Sequence, residues 1–177
     1  DDWCVFLTRT NKQYAERMRR EIRDFLASEC GLRLSEEKTR ITHVRDGFRF
    51  LGFNLEMSIG QGNRPVPKTK IPRDASTGVV HRLHEKLRDR PAQESISIRI
   101  ENANAVIRGW AGYYSIAHNY AKQAGWLDNQ AYWIAVKAIC RKYDITTGQC
   151  HKKYVFAQRP GVHQQCSLGK FCDTQMT

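Results

Sequence analysis

Residues 107–119 read IRGWAGYYSIAHN, and the reading of this stretch divides the chain. With the residues just before it, it places Ala103, Val106, Ile107, Trp110, Tyr113, Tyr114 and Ala117 at i, i+3, i+4, i+7 spacing. That is the most regular amphipathic helix pattern in the sequence. Helical spacing extends to both sides. Val79, Val80, Leu83 and Leu87 share one face and Pro91 closes the segment, while a third helix starting near an Asp128 cap uses Trp133, Val136, Ile139, Cys140 and Tyr143. From about Gly148 the chain is polar and lacks periodicity, so a loosely ordered tail is expected there.

Upstream the pattern differs. Trp3 to Thr8 predicts a short strand with Val5 to Leu7 buried, and the two acids Asp1 and Asp2 precede it. Thr10 and Gln13 have capping-box spacing, and Tyr14, Met18, Ile22, Phe25 and Leu26 then form a helical stripe that Gly31 stops. The opposite face, with Arg17, Arg20 and Glu21, reads as solvated, and Arg20 with Asp24 has ion-pair spacing at i,i+4. KTRITHV (38–44) alternates as a strand does, RDG (45–47) is a turn signal, and FRFLGFNL (48–55) predicts the second strand of a hairpin. Between Ile59 and Pro72 lie two glycines and three prolines with Lys68 and Lys70, followed by Arg73. This stretch predicts a basic linker.

The composition narrows the partners. Among 177 residues, 29 Lys and Arg face 18 Asp and Glu, a net charge of +11. An excess of this size, with many basic residues close to aromatics, points to a polyanion such as nucleic acid. No apolar run approaches the roughly 18 residues a membrane span needs, and no secretory pattern opens the sequence. Six cysteines form no CxxC pair, and His163, Cys166 and Cys172 match no common zinc spacing. A reducing, cytoplasmic setting is expected.

Two adjacent carboxylates beside a strand suit Mg²⁺, which takes hard oxygen ligands and is commonly held by one or two carboxylates plus substrate phosphates. The competing reading is a solvated chain end. The wider pattern bears on the choice. A strand leaving an Asp-Asp pair, a helix, GLRLSEEKTRITHV (31–44) and then FRFLGF (48–53) resemble the second half of a reverse-transcriptase palm. The helix carrying RGWAGYY, with AYWIAVKAICRKY (131–143) and SLGKFCDTQM (167–176) after it, is similar to domain X, the maturase or thumb region of group II intron proteins. Together they cover nearly the whole chain in the order of a group II intron reverse transcriptase and maturase.

The resemblance implies an α+β fold: a partial palm of strand, helix and β-hairpin over residues 1–58, a basic linker over 59–75, a helical thumb/maturase domain X over 76–147, and a maturase tail over 148–177. It also implies roles. Asp1 would coordinate catalytic Mg²⁺ and Asp2 would support its geometry. Lys38 would either meet departing pyrophosphate or be a surface lysine. Phe50, Leu51, Gly52 and Phe53 would form the primer grip, although a plain hairpin core explains the same aromatics. Arg108 and Asn119, within the signature, are expected to contact RNA directly, while Trp110 and the neighbouring tyrosines read as core before stacking platforms. Lys68, Lys70, Arg73, Arg141, Lys142, Lys152 and Lys153 would follow phosphates.

The implied partners are group II intron RNA, an RNA template with its DNA primer, and dNTP in the full-length protein, with no membrane involved. In the family a third acid and the fingers precede this region. The chain by itself is therefore expected not to polymerise DNA, and to be a cut of a longer protein or a truncated reading frame. The alternative is an RNA-binding splicing factor without polymerase activity.

Overall fold

The computed structural model describes residues 3–8, 10–155 and 168–171, and the chain falls into two units, residues 1–67 and 68–177. In the first unit, α1 spans Lys12–Glu29. Its cap is Asn11, whose Oδ1 accepts the Tyr14 N–H at 2.9 Å, one residue later than the expected Thr10 cap; an Asn side chain is an equally good acceptor for the exposed first-turn donors. The helix stops where glycine predicts. Gly31 adopts φ +64°, and the Leu32 N–H reaches back to the Leu26 carbonyl at 2.9 Å, the closure that a left-handed residue permits. On the outer face Arg17 pairs with Glu21 at 3.5 Å, and Asp24 pairs with its neighbour Arg23 at 2.9 Å rather than with Arg20.

The hairpin is real but shifted. β1 is Phe48–Phe50 and β2 is Phe53–Ile59, antiparallel, with Phe50 opposite Phe53. FLGF is therefore the reversal itself and not the interior of one strand. Leu51 and Gly52 both have positive φ, +43° and +72°, the backbone that matches a two-residue turn to strand twist. Residues 38–44 form no strand, and neither do residues 3–8. Trp3, Val5 and Phe6 are about half exposed or more, contrary to the expected buried strand. Alternation prepares a strand, but backbone donors and acceptors need a neighbouring strand to pair with, and the sheet of the described residues has only the order β1-β2-β3.

The third strand, β3, is Pro65–Lys70. The stretch 59–75, read as a linker, thus holds the end of β2, a short 3₁₀ turn at Gln61–Asn63, β3 and the opening of the next helix. Pro65 and Pro67, which have no N–H to donate, are compatible with the first residues of an edge strand.

The second unit is built on three helices: α2 Arg73–Leu87, α3 Ile96–Tyr114 and α4 Tyr120–Tyr143. Its core takes Val79, Leu83 and Leu87 from α2 and Ala103, Ile107, Trp110 and Ala111 from α3, close to the stripes read from spacing. α4 differs from its expected form. It begins at Tyr120, not near Asp128, and buries Tyr120, Ala124, Leu127, Ala131, Ile134, Ala135 and Ala138. Four alanines in that row permit close helix contact and displace the large aromatics, so Trp133 and Tyr143 are 41% and 42% exposed.

Arg99 is the buried charge of this unit. It donates to the Leu87 and Pro91 carbonyls at 3.3 and 2.6 Å, and lies 3.8 Å from Glu94. These contacts fasten the α2–α3 connection and offset much of the cost of burying the charge, although the guanidinium Nε is left without a hydrogen bond among the described residues.

Of the expected tail, residues 148–155 and 168–171 are described. Thr146 and Gln149 form a reciprocal capping box on α5, Thr147–Cys150, and a widened turn follows over His151–Val155. Further along, Phe171 is fully buried, edge-on to Trp110 with ring centroids 5.3 Å apart. Its N–H donates to Asp128 Oδ1 at 2.6 Å, its carbonyl accepts from the Tyr120 hydroxyl, and the Gly169 N–H donates to Asn104 Oδ1 at 2.7 Å. Asp128 is therefore a mid-helix anchor for this segment and not a helix cap.

Candidate nucleic-acid interface

Charge is divided unevenly between the units. Residues 68–177 hold 17 Lys and Arg against 8 Asp and Glu, a net +9, whereas residues 1–67 hold 12 against 10. The helical unit is the cationic one, and its expected phosphate contacts fall into two groups. Arg73, Arg108, Arg141, Lys152 and Lys153 are exposed. Lys68, Lys70 and Lys142 are half-buried. Lys142 is committed to the fold: its Nζ donates to the Ala92 and Glu94 carbonyls at 2.7 and 2.8 Å.

Asn119 is also committed. Its Oδ1 accepts the Ile71 N–H at 2.8 Å and its Nδ2 donates to the Ile71 carbonyl at 3.3 Å. Beside it, the His118 N–H donates to the Thr69 carbonyl at 2.8 Å and His118 Nδ1 accepts the Thr69 N–H at 3.2 Å. The end of the AHN motif therefore acts as a substitute strand for the last residues of β3. A direct RNA contact by the Asn119 amide would require breaking this pairing. Trp110 is 5% exposed among Tyr114, Tyr120 and Phe171, which makes it core.

At the far end of α4 the aromatics gather with cations. The Tyr132 hydroxyl and His151 Nε2 are 2.8 Å apart, the Tyr143 and Tyr154 rings stack at 5.9 Å, and Lys153 Nζ lies 5.3 Å over Tyr154. Ammonium over a ring is favourable in itself, and rings beside exposed Arg141 and Lys152 offer bases a surface on which to stack. The sequence pattern placed the cations of this patch and put Tyr143 on the buried stripe, but gave Tyr132, His151 and Tyr154 no role. Trp126, 44% exposed on the same helix, was not identified. Its spacing of seven from Trp133, in register with Lys137, is the signal that could have revealed both.

In the first unit, Phe50, Leu51, Gly52 and Phe53 stand together at the hairpin reversal, with Phe53 buried and Leu51 exposed. Lys38 is exposed in a turn. The adjoining cleft is lined by Arg19, Arg20, Arg23, Leu34, Glu36 and Thr39, and Arg23 approaches Glu36 at 4.0 Å. Asp1 and Asp2 lie outside the described residues, as do His163, Cys166 and Cys172. Among the described residues no group of three or more His, Cys, Asp or Glu is placed to hold a metal ion, and no helix is long and apolar enough to cross a membrane.

Residues 78–155 match the family model described as group II intron, maturase-specific domain. The match spans most of α2, all of α3, α4 and α5, and the turn beyond. A 55-residue stretch is 44% identical to Protein YkfC of Escherichia coli (strain K12), covering 31% of this chain and 14% of that protein. The chain therefore aligns with about one seventh of the length of that curated relative.

Proposed function

We propose that this chain is part of a group II intron-encoded protein and that its helical unit binds the intron RNA and assists splicing. The observation that carries the reading is the match of residues 78–155 to the maturase-specific domain, lying within the unit that holds most of the net charge. Folded RNA is recognised by shape, by 2′-hydroxyl and phosphate contacts, and by unpaired bases that stack on aromatics. Exposed Arg108, Arg141, Lys152 and Lys153 supply the phosphate contacts, and the rings around Tyr143 and Tyr154 supply surfaces for the unpaired bases. The full chain should retain a group II intron transcript on a filter in preference to an unrelated structured RNA of equal length. Equal retention of the two RNAs would refute intron recognition.

In the longer protein, we assign RNA-directed DNA polymerase activity to the palm that the first unit resembles. The order Asp-Asp, helix and FLGF hairpin favours this reading. Asp1 and Asp2 form a hard-oxygen pair suited to Mg²⁺; a third acid would come from elsewhere in the longer protein. The metal, when bound, would neutralise charge on the phosphate oxygens of dNTP. The chain's own part would be to hold the primer end at Phe50–Phe53 and to place Lys38 near pyrophosphate. Primer extension by the intact protein with Asp1→Asn tests this, and retained activity would overturn the assignment of Asp1.

A further inference from the structure

The exposed side of α4 carries more than scattered cations. Trp126 and Trp133 are 44% and 41% exposed. Seven residues apart, they lie within about 20° of each other around the helix and about 10.5 Å along it. Lys122, Lys137 and Arg141 are exposed on the same side, and none of the three forms an ion pair among the described residues. Trp133 touches Tyr132 and His151, whereas Trp126 meets no ring of the described residues. Two indoles left half in water on one helix row form a paired apolar surface, where hydrophobic residues exposed singly would be ordinary.

We infer that this row is a binding track for unpaired RNA, with Trp126 and Trp133 stacking on bases and Lys122, Lys137 and Arg141 holding the phosphates to either side of them. The inference rests on the RNA-binding reading above and specifies the form of RNA that the helix takes. Charge decides the occupant. The indoles are flanked by Lys122 on one side and by Lys137 and Arg141 on the other, with no acidic residue in the row, and a face with three cations and no counter-charge fits a polyanion, where a second copy of the chain would set like charges against each other. Form follows from the rings: an indole can cover a base face only where the strand has left its stack. A continuous A-form duplex offers the row phosphates and 2′-hydroxyls but no free faces.

The test uses the full chain with two probes, a short oligoadenylate and an RNA duplex of the same length. Binding is followed by filter retention and by tryptophan fluorescence. Trp126→Leu/Trp133→Leu keeps apolar bulk and removes the ring, and Trp126→Phe/Trp133→Phe keeps a ring. The leucine pair should weaken oligoadenylate binding by roughly 5- to 100-fold per lost stack and leave duplex binding unchanged. The phenylalanine pair should recover most of the loss. Circular dichroism of both pairs should match the parent, because neither side chain is in the core. An equal loss on both probes, or no loss on oligoadenylate while the parent binds it, overturns the track and leaves the RNA reading standing. A parent chain that binds neither probe nor intron RNA overturns the RNA reading and this inference with it. Concentration-dependent self-association of the parent without RNA, abolished in the leucine pair, would instead make the row an interface between copies.

Discussion

Replacing Phe171 tests whether the polar tail is part of the helical unit. The ring is fully buried against Trp110, and truncation of a buried phenylalanine to alanine costs about 3–5 kcal/mol. For a unit of this size each kcal/mol is worth about 4 °C in Tm, so Phe171→Ala should lower the thermal midpoint of the helical unit by about 12–20 °C. Phe171→Leu keeps most of the apolar volume and loses the edge-to-face contact with Trp110, worth about 0.5–1.5 kcal/mol; its midpoint should fall by only about 2–6 °C. Asp128→Ala removes the acceptor of the Phe171 N–H and should cost about 1–3 kcal/mol. Because both changes release the same segment, the Phe171→Ala/Asp128→Ala double variant should lose less than the sum of the two. Scanning calorimetry with near-ultraviolet circular dichroism on the full chain reads all of these. A Phe171→Ala midpoint within about 2 °C of the parent, or strict additivity with Asp128→Ala, would refute the docking of residues 168–171.

Asn119→Ala removes both amide bonds to Ile71 and should destabilise the helical unit by about 1–3 kcal/mol in urea unfolding; weakened RNA binding with unchanged stability would instead make Asn119 a contact residue. Leu51→Asn relieves an ordinary side chain held at φ +43° and should stabilise the hairpin by about 1 kcal/mol, read by hydrogen exchange of its amides; a faster-exchanging variant would contradict this. Glu94 accepts two bonds from the Arg90 guanidinium, which, with Arg99 and Lys86 nearby, holds its carboxyl below its ordinary value of 4.5. The unfolded chain binds that proton first, so the contribution is present above about pH 4.5 and lost as pH falls through the lower folded value. Glu94→Gln should therefore show a smaller fall in Tm on acidification than the parent, and an equal or larger fall would contradict the pairing.

Particular residues show what was legible in the sequence. The stop at Gly31 and the α2 and α3 stripes through Leu83, Leu87, Ile107 and Trp110 were readable because each depends on local spacing or on one residue's backbone freedom. The strands at 3–8 and 38–44 were overread. Alternation records a preference for a sheet face, and pairing depends on partners distant in sequence. In α4 the large aromatics suggested the buried face, but the alanine row packs more closely and left Trp126 and Trp133 outside. Asn119 and Phe171 were missed as structural elements for one reason. Asn119 binds the Ile71 backbone 48 residues away, and Phe171 is held by the Tyr120 hydroxyl 51 residues back and by the Trp110 ring, and no local pattern encodes such contacts. In the candidate site, the cations of the helical unit were foreseen while the rings beside them were not.

The central claim is that the helical unit recognises intron RNA through exposed cations, and the salt dependence of binding tests it most directly. Retention of a group II intron transcript by the full chain should fall by about 10³ to 10⁵ in affinity between about 50 and 200 mM salt if roughly six to ten phosphates are neutralised. Replacing exposed Arg141 and Lys152 with alanine should reduce the slope by about one for each residue. Binding that is indifferent to salt, or a slope unchanged by both substitutions, would contradict the account.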